Sequence, residues 1–132
     1  SKPIPYATFF TSAPTFSQLA AVEALKNSND YTKKMLKEYD RRREMIVKRL
    51  NEMPKISCTT PKGAFYAFPN IKSLKMSSGK FADFLLNKAK VIVIPGNEFG
   101  KYGEGYIRLS YATAYGKILR ALDRIENSLR KL

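Results

Sequence analysis

Apolar residues recur at helical intervals in the first and last thirds of this chain, and at shorter, strand-like intervals between them. Leu19, Val22 and Leu25 fall on one face of a predicted helix from Gln18 to Lys26, with Thr15 or Ser17 as its N-cap. Asn27, Ser28 and Asn29 break it. A longer helix is predicted from about Asp30 to Met53, where Met35, Leu36, Tyr39, Ile46, Leu50 and Met53 keep helical spacing and Pro54 ends the run. Ile56–Thr60 and Ala64–Phe68 read as two strands joined by the turn Pro61-Lys62-Gly63. Ser77 or Ser78 can cap a middle helix that carries Phe81, Phe84, Leu85 and Ala89. Val91–Ile94 is wholly apolar, suits a buried strand, and is closed by Pro95-Gly96. A loop holding Gly100, Gly103 and Gly105 leads into a strand over Tyr106–Tyr111. The last helix has the cleanest pattern, with Ile118, Leu122, Ile125, Leu129 and Leu132 at alternating steps of four and three.

This order predicts an α/β fold: a two-layer sandwich in which helices pack on a small, mostly antiparallel sheet. No internal repeat or low-complexity linker interrupts it. Residues 1–14 fit less well. Pro3, Pro5 and Pro14 divide an apolar stretch containing Ile4, Tyr6, Phe9 and Phe10, which needs a surface to pack against.

Composition narrows the classes. With 132 residues and a hydrophobic fraction of 44%, the chain suffices for one folded domain. No apolar run approaches the roughly 18 residues of a membrane helix, and no secretory signal pattern opens the chain. The single cysteine, Cys58, fits a reducing compartment, so a cytoplasmic, soluble protein is expected. The absence of histidine excludes imidazole-based triads and metal sites built on imidazole, and no metal site is expected. The net charge of +13 raises a nucleic-acid or anionic-membrane partner; the alternatives are a solvated lysine-rich surface or an acidic complement elsewhere in a longer protein.

Three segments could carry chemistry. In Tyr106–Tyr111, strand alternation puts Tyr106, Arg108 and Ser110 on one face and Ile107, Leu109 and Tyr111 on the other. Arg108 then either binds an anion, its planar fork matching a carboxylate, or is an edge arginine that faces water or pairs with Glu104. The loop Pro95-Gly96-Asn97-Glu98-Phe99-Gly100 sits at a strand's carboxyl end, where ligands often bind, or is simply a connector needing positive φ. The basic helix Lys33–Arg49 could track a nucleic-acid backbone, but its charges surround the helix as on a solvated face. Cys58, without a histidine partner, reads as a packing thiol.

Taken together, these segments resemble the C-terminal third of the class I and II, fold-type I, pyridoxal-phosphate (PLP) aminotransferases, the aspartate aminotransferase family. Ser12-Ala13-Pro14-Thr15-Phe16-Ser17-Gln18-Leu19-Ala20-Ala21-Val22-Glu23-Ala24-Leu25 is similar to the stretch leading into that family's small domain. Pro61-Lys62-Gly63-Ala64-Phe65-Tyr66-Ala67-Phe68-Pro69 resembles its Pro-x-Gly-Ala-Phe-Tyr hairpin. Val91 through Ala112 matches an apolar strand, Pro-Gly-x-x-Phe-Gly, a glycine-rich loop and Arg-Leu-Ser-Tyr-Ala.

The resemblance implies a small C-terminal domain over residues 28–132, with residues 1–27 left from the segment linking it to a large PLP-binding domain. It implies that Arg108 binds the α-carboxylate of the amino-acid substrate, and that Gly63, Ala64, Phe65 and Tyr66 lie near the active-site entrance. The intact enzyme would move an amino group between an amino acid and a 2-oxo acid, as a homodimer, with its small domain closing over the substrate. No catalytic or cofactor-binding residue is transferred to this chain: the family's Schiff-base lysine stands in Ser-x-x-Lys followed by Gly-x-Arg, and Ser1-Lys2-Pro3 lacks that continuation. The fragment alone is expected to be inactive and to hold no PLP. The rival readings are a free-standing basic module that binds nucleic acid and an amino-acid-sensing domain.

Overall fold

Pro14 opens the first helix of the computed structural model, which describes residues 12–132; the apolar stretch from Ile4 to Phe10 lies outside the described residues. Helix α1 spans Thr15–Asn27, and no side chain caps it; the expected caps Thr15 and Ser17 both lie within the helix. Pro14 supplies the extended entry, and its carbonyl accepts from Ser17 and Gln18 N–H. None of the residues of α1 is buried. Ser28 separates α1 from α2, which spans Asn29–Glu52. The chain divides into two compact units, Ser1–Leu36 and Lys37–Leu132, and the second holds the core.

In that second unit, α2 buries Ile46, Val47 and Leu50 from its C-terminal half. The strands follow as β1 (Tyr66–Ala67), β2 (Ile94–Pro95) and β3 (Ile107–Ser110). Their order is β1-β3-β2, and both pairings are antiparallel, as the sequence led us to expect. Tyr66 stands opposite Ser110, and Ile94 opposite Arg108. Helix α3 (Ser78–Phe84) runs on into a π-turn over Leu85–Ala89, and α4 covers Tyr115–Leu129. Ser77 is the N-cap of α3, its side chain accepting from Lys80 N–H at 3.3 Å.

One face of β3 is sealed. Ile107, Leu109 and Tyr111 are buried with Phe81 and Leu85 of the α3 segment and Ile118, Leu122 and Ile125 of α4. The four-three spacing of α4 is therefore the stripe that covers the sheet. Arg49 of α2 clamps α4 from the side, donating to Asp123 at 2.8 Å and to Glu126 at 3.0 Å. Arg130, and after it Arg49, hold the Glu126 carboxyl below its ordinary range.

Two expected strands are corrected. Ile56–Thr60 forms no strand and does not pair with Ala64–Phe68; only Ser57 bridges, to Asn70. The reason is local: the Asn51 side chain accepts from Cys58 N–H at 2.8 Å and donates to its carbonyl at 3.0 Å, taking the place of a neighbouring strand. Val91–Ile94 is not a buried strand either. Pairing begins only at Ile94, and Ile92, which precedes β2, is 80% exposed while its neighbour Val93 faces the core. Cys58 itself is buried, and burial pushes its thiol up, in keeping with a packing role.

Two outcomes follow from this packing. Gly116, in the first turn of α4, has open space where a Cβ would stand, whereas a Cβ on Gly103 would run into the backbone carbonyl of Gly96. Gly116→Ala is expected to raise stability by up to about 1 kcal/mol and Gly103→Ala to lower it, both measured by urea denaturation. The second concerns pH. A carboxyl whose folded pKa is depressed contributes stability that is complete above the ordinary glutamate value of about 4.3 and lost as pH falls through the lowered value. Glu126→Gln should therefore flatten the acid limb of thermal stability against pH; an unchanged limb would remove Glu126 from that role.

Candidate functional site

The other face of β3 carries the candidate site. Alternation turns Tyr106, Arg108 and Ser110 away from the core, and Arg108 ends half-buried. Its guanidinium carbon lies 4.4 Å from the ring centroid of Tyr66 and 4.5 Å from that of Phe99. Among the described residues no carboxylate lies within ion-pair distance of Arg108 (contrast Arg49 and Arg130, which both reach Glu126). Pairing with Glu104, one alternative raised by the sequence, does not occur. Glu104 instead accepts from Ser78 N–H at 2.9 Å.

The aromatic residues come from different elements. Tyr66 belongs to β1, on one flank of β3. Phe99 ends the short 3₁₀ turn Gly96–Phe99 that follows β2, on the other flank. That turn is fixed by backbone contact. Gly96 and Gly103 pack so closely that a Cβ on either would overlap the other's carbonyl, and Gly96 N–H donates to the Tyr106 carbonyl at 2.8 Å. Phe68 closes the row, stacked on Tyr106 at 5.2 Å and edge-on to Phe99 at 6.1 Å.

The turn before β1 is anchored from behind. The Tyr111 hydroxyl donates to the Ala64 carbonyl at 3.0 Å, and Tyr111 N–H donates to the Phe65 carbonyl at 2.9 Å. Ala64 sits at φ 59°, a left-handed conformation that a side chain adopts at a cost, so these bonds hold a strained corner. Arg43 of α2 reaches the Pro61 carbonyl at 3.2 Å on the same turn. Of the residues named from the sequence, the fold brings Tyr66 onto Arg108; Phe65 lies against Tyr66 at 4.5 Å, and Gly63 and Ala64 are exposed on the turn.

Sequence reasoning missed two contributors. Phe99 appeared only as a letter in a loop motif, and its role depends on the Gly96–Gly103 contact. Ser78 looked like a cap, yet it is buried and its hydroxyl accepts from Gly105 N–H at 2.8 Å and Tyr106 N–H at 3.3 Å, fixing the entry to β3. The adjacent pair Ser77-Ser78 was the available signal, since one helix start needs only one cap.

The basic helix reads differently once its neighbours are known. Arg42 pairs with Glu38, Arg43 with Asp40 and Arg49 with Asp123 and Glu126, while Arg41 lies 4.0 Å from the centroid of the Tyr115 ring. Its arginines are engaged within the fold. No helix among the described residues is long and apolar enough to cross a membrane.

The site is thus an arginine on a small antiparallel sheet, with the turn after β2 placing an aromatic ring beside its guanidinium. Comparison with known proteins shows the family: the chain belongs to the class I and II aminotransferases, whose family model matches residues 5–125. It is 51% identical over 117 residues to the aspartate aminotransferase of Pyrococcus horikoshii, an alignment covering 87% of this chain and 30% of that protein. It is 48% identical over 119 residues to aromatic-amino-acid aminotransferase 2 of Thermococcus litoralis, covering 89% of this chain and 30% of that one. The crystal structure of an aromatic aminotransferase from Pyrococcus horikoshii matches with a TM-score of 0.88 at 46% identity, over 96% of this chain and 34% of the other. The chain thus spans about a third of the length of these relatives.

Removing the anchor behind the turn should be measurable. Tyr111→Phe keeps the ring in the core but leaves the Ala64 carbonyl without its donor, and is expected to lower stability by about 1 kcal/mol in urea denaturation. No loss would mean that the bond does not hold the turn.

Proposed function

We propose that this chain is the small C-terminal domain of a PLP-dependent aminotransferase, and that Arg108 binds the α-carboxylate of the amino-acid and 2-oxo-acid substrates. The observation that carries the reading is the guanidinium of Arg108, set between Tyr66 and Phe99 with no carboxylate partner among the described residues. Leaving an arginine half-buried and unpaired is costly unless an anion arrives to complete it. A substrate carboxylate is such an anion, and two parallel N–H···O bonds would fix its plane.

The relatives support the same atom. One is named for aspartate and another for aromatic amino acids, substrates that differ in the side chain and share the α-carboxylate. A group common to such a family should therefore read the shared end. Fixing that end also fixes how the Cα–H bond is presented to the reaction, a contribution made by orientation.

The described residues do not fit the cofactor itself. Bound PLP supplies the electron sink for transamination and requires a lysine sheltered enough to form a Schiff base. Every lysine among the described residues is exposed, so no step through the cofactor is assigned to them. The PLP-binding domain belongs to the part of the longer polypeptide that this chain does not span. In the proposed assembly residues 28–132 form the small domain and residues 1–27 the link. Closure of the small domain would bring Arg108, Tyr66 and the turn at Gly63–Phe65 over the substrate, in an enzyme that is a homodimer.

In the full-length enzyme, Arg108→Lys keeps the charge but loses the planar fork. It is expected to lower kcat/KM for the amino acid about 10- to 100-fold while leaving the absorption of bound cofactor unchanged. Unaltered kcat/KM would remove Arg108 from the substrate.

A further inference from the structure

Arg108 is oriented without an ion pair, and the means of orientation is itself informative. The two rings that flank its guanidinium come from opposite sides of β3, Tyr66 from the β1 flank and Phe99 from the β2 flank. An acidic neighbour could also have steadied the arginine, but its oxygens would occupy the N–H edge and would have to be displaced by each arriving substrate. Aromatic faces attract the cation through their quadrupoles and leave its in-plane donors free.

We propose that Phe99 and Tyr66 are positioning residues for Arg108, with Phe99 setting how tightly a substrate carboxylate is held. The inference rests on the carboxylate-binding reading of Arg108 and names what prepares it. Phe99 is a sensitive place to look because stability gives little reason for a ring there. It is 49% exposed, on a 3₁₀ turn, outside the core. Its position is nevertheless closely determined: the Gly96–Gly103 contact fixes the turn, and Phe68 meets its ring edge-on. A ring placed over the cation by these contacts restricts the guanidinium before substrate arrives. The entropy otherwise lost on binding is then already lost in the free enzyme.

The test uses the full-length enzyme and four variants. Phe99→Leu removes the π face with little change in volume, Phe99→Tyr restores it, Tyr66→Leu removes the other face, and Arg108→Lys tests the arginine itself. Phe99→Leu and Tyr66→Leu are each expected to raise KM for the amino acid about five- to tenfold, with kcat within about twofold of wild type and thermal stability nearly unchanged. The inhibition constant of propanoate, a carboxylate without an amino group to react, should rise in parallel. Phe99→Tyr should restore both constants.

If Phe99→Leu leaves KM and propanoate inhibition unchanged while Arg108→Lys impairs both, the positioning role is overturned and the arginine's role stands. If neither variant changes them, the carboxylate-binding reading falls as well. A Phe99→Tyr enzyme as impaired as Phe99→Leu would also overturn the inference, since a tyrosine ring offers the same face. Should Phe99→Leu fail to fold, Phe99→Met carries the same comparison.

Discussion

The two-residue alternation of β3 is the constraint from which the rest of the second unit follows. Ile107, Leu109 and Tyr111 point inward, into the core cluster that also holds apolar residues of α2, the α3 segment and α4, and Tyr111 meets Tyr39 of α2. That obligation leaves Arg108 no choice but the opposite face. A slip of one residue would bury a guanidinium in the core and expose three large apolar side chains. The same few residues therefore hold the core together and present the cation. Ser78 and the Tyr106–Gly96 backbone bond fix where the strand begins, and β1 and β2 each pair with it for only two residues.

Much of this was legible in the sequence. The α4 stripe, the alternation around Arg108 and the cap at Ser77 are short-range patterns and were found, although the helix ends at Leu129 and leaves Leu132 exposed, and the strand covers only Ile107–Ser110 of the expected Tyr106–Tyr111. The expected strand at Ile56–Thr60 failed because a side chain, Asn51, satisfied the backbone that a strand partner would have taken. Exposure of Ile92 escaped a reading based on apolar content, since a four-residue apolar run does not reveal which of its side chains the core covers. Phe99 was hidden for a further reason. Its place over Arg108 depends on two glycines, seven positions apart, packing backbone to backbone, and no periodicity records that.

Charge illustrates how far composition alone can mislead. A net charge of +13 raised a polyanion partner, although the charges surrounding the basic helix already read as a solvated face. In the fold, Arg42, Arg43 and Arg49 turn to carboxylates of their own unit, and Arg41 to the Tyr115 ring. Among the described arginines of the second unit, the informative one is Arg108, which meets two rings and no acid. Surface pairs of this kind contribute little to stability, so their value here is diagnostic: these arginines meet acids of the fold, whereas the half-buried Arg108 meets none among the described residues.

The most direct test of this account is a crystal structure of the full-length protein with an amino-acid substrate analogue bound. We expect the Arg108 guanidinium, still between Tyr66 and Phe99, to donate two hydrogen bonds of about 3 Å to the analogue's α-carboxylate. An Arg108 paired instead with a carboxylate of the protein, or turned to solvent while another group holds the analogue, would contradict it.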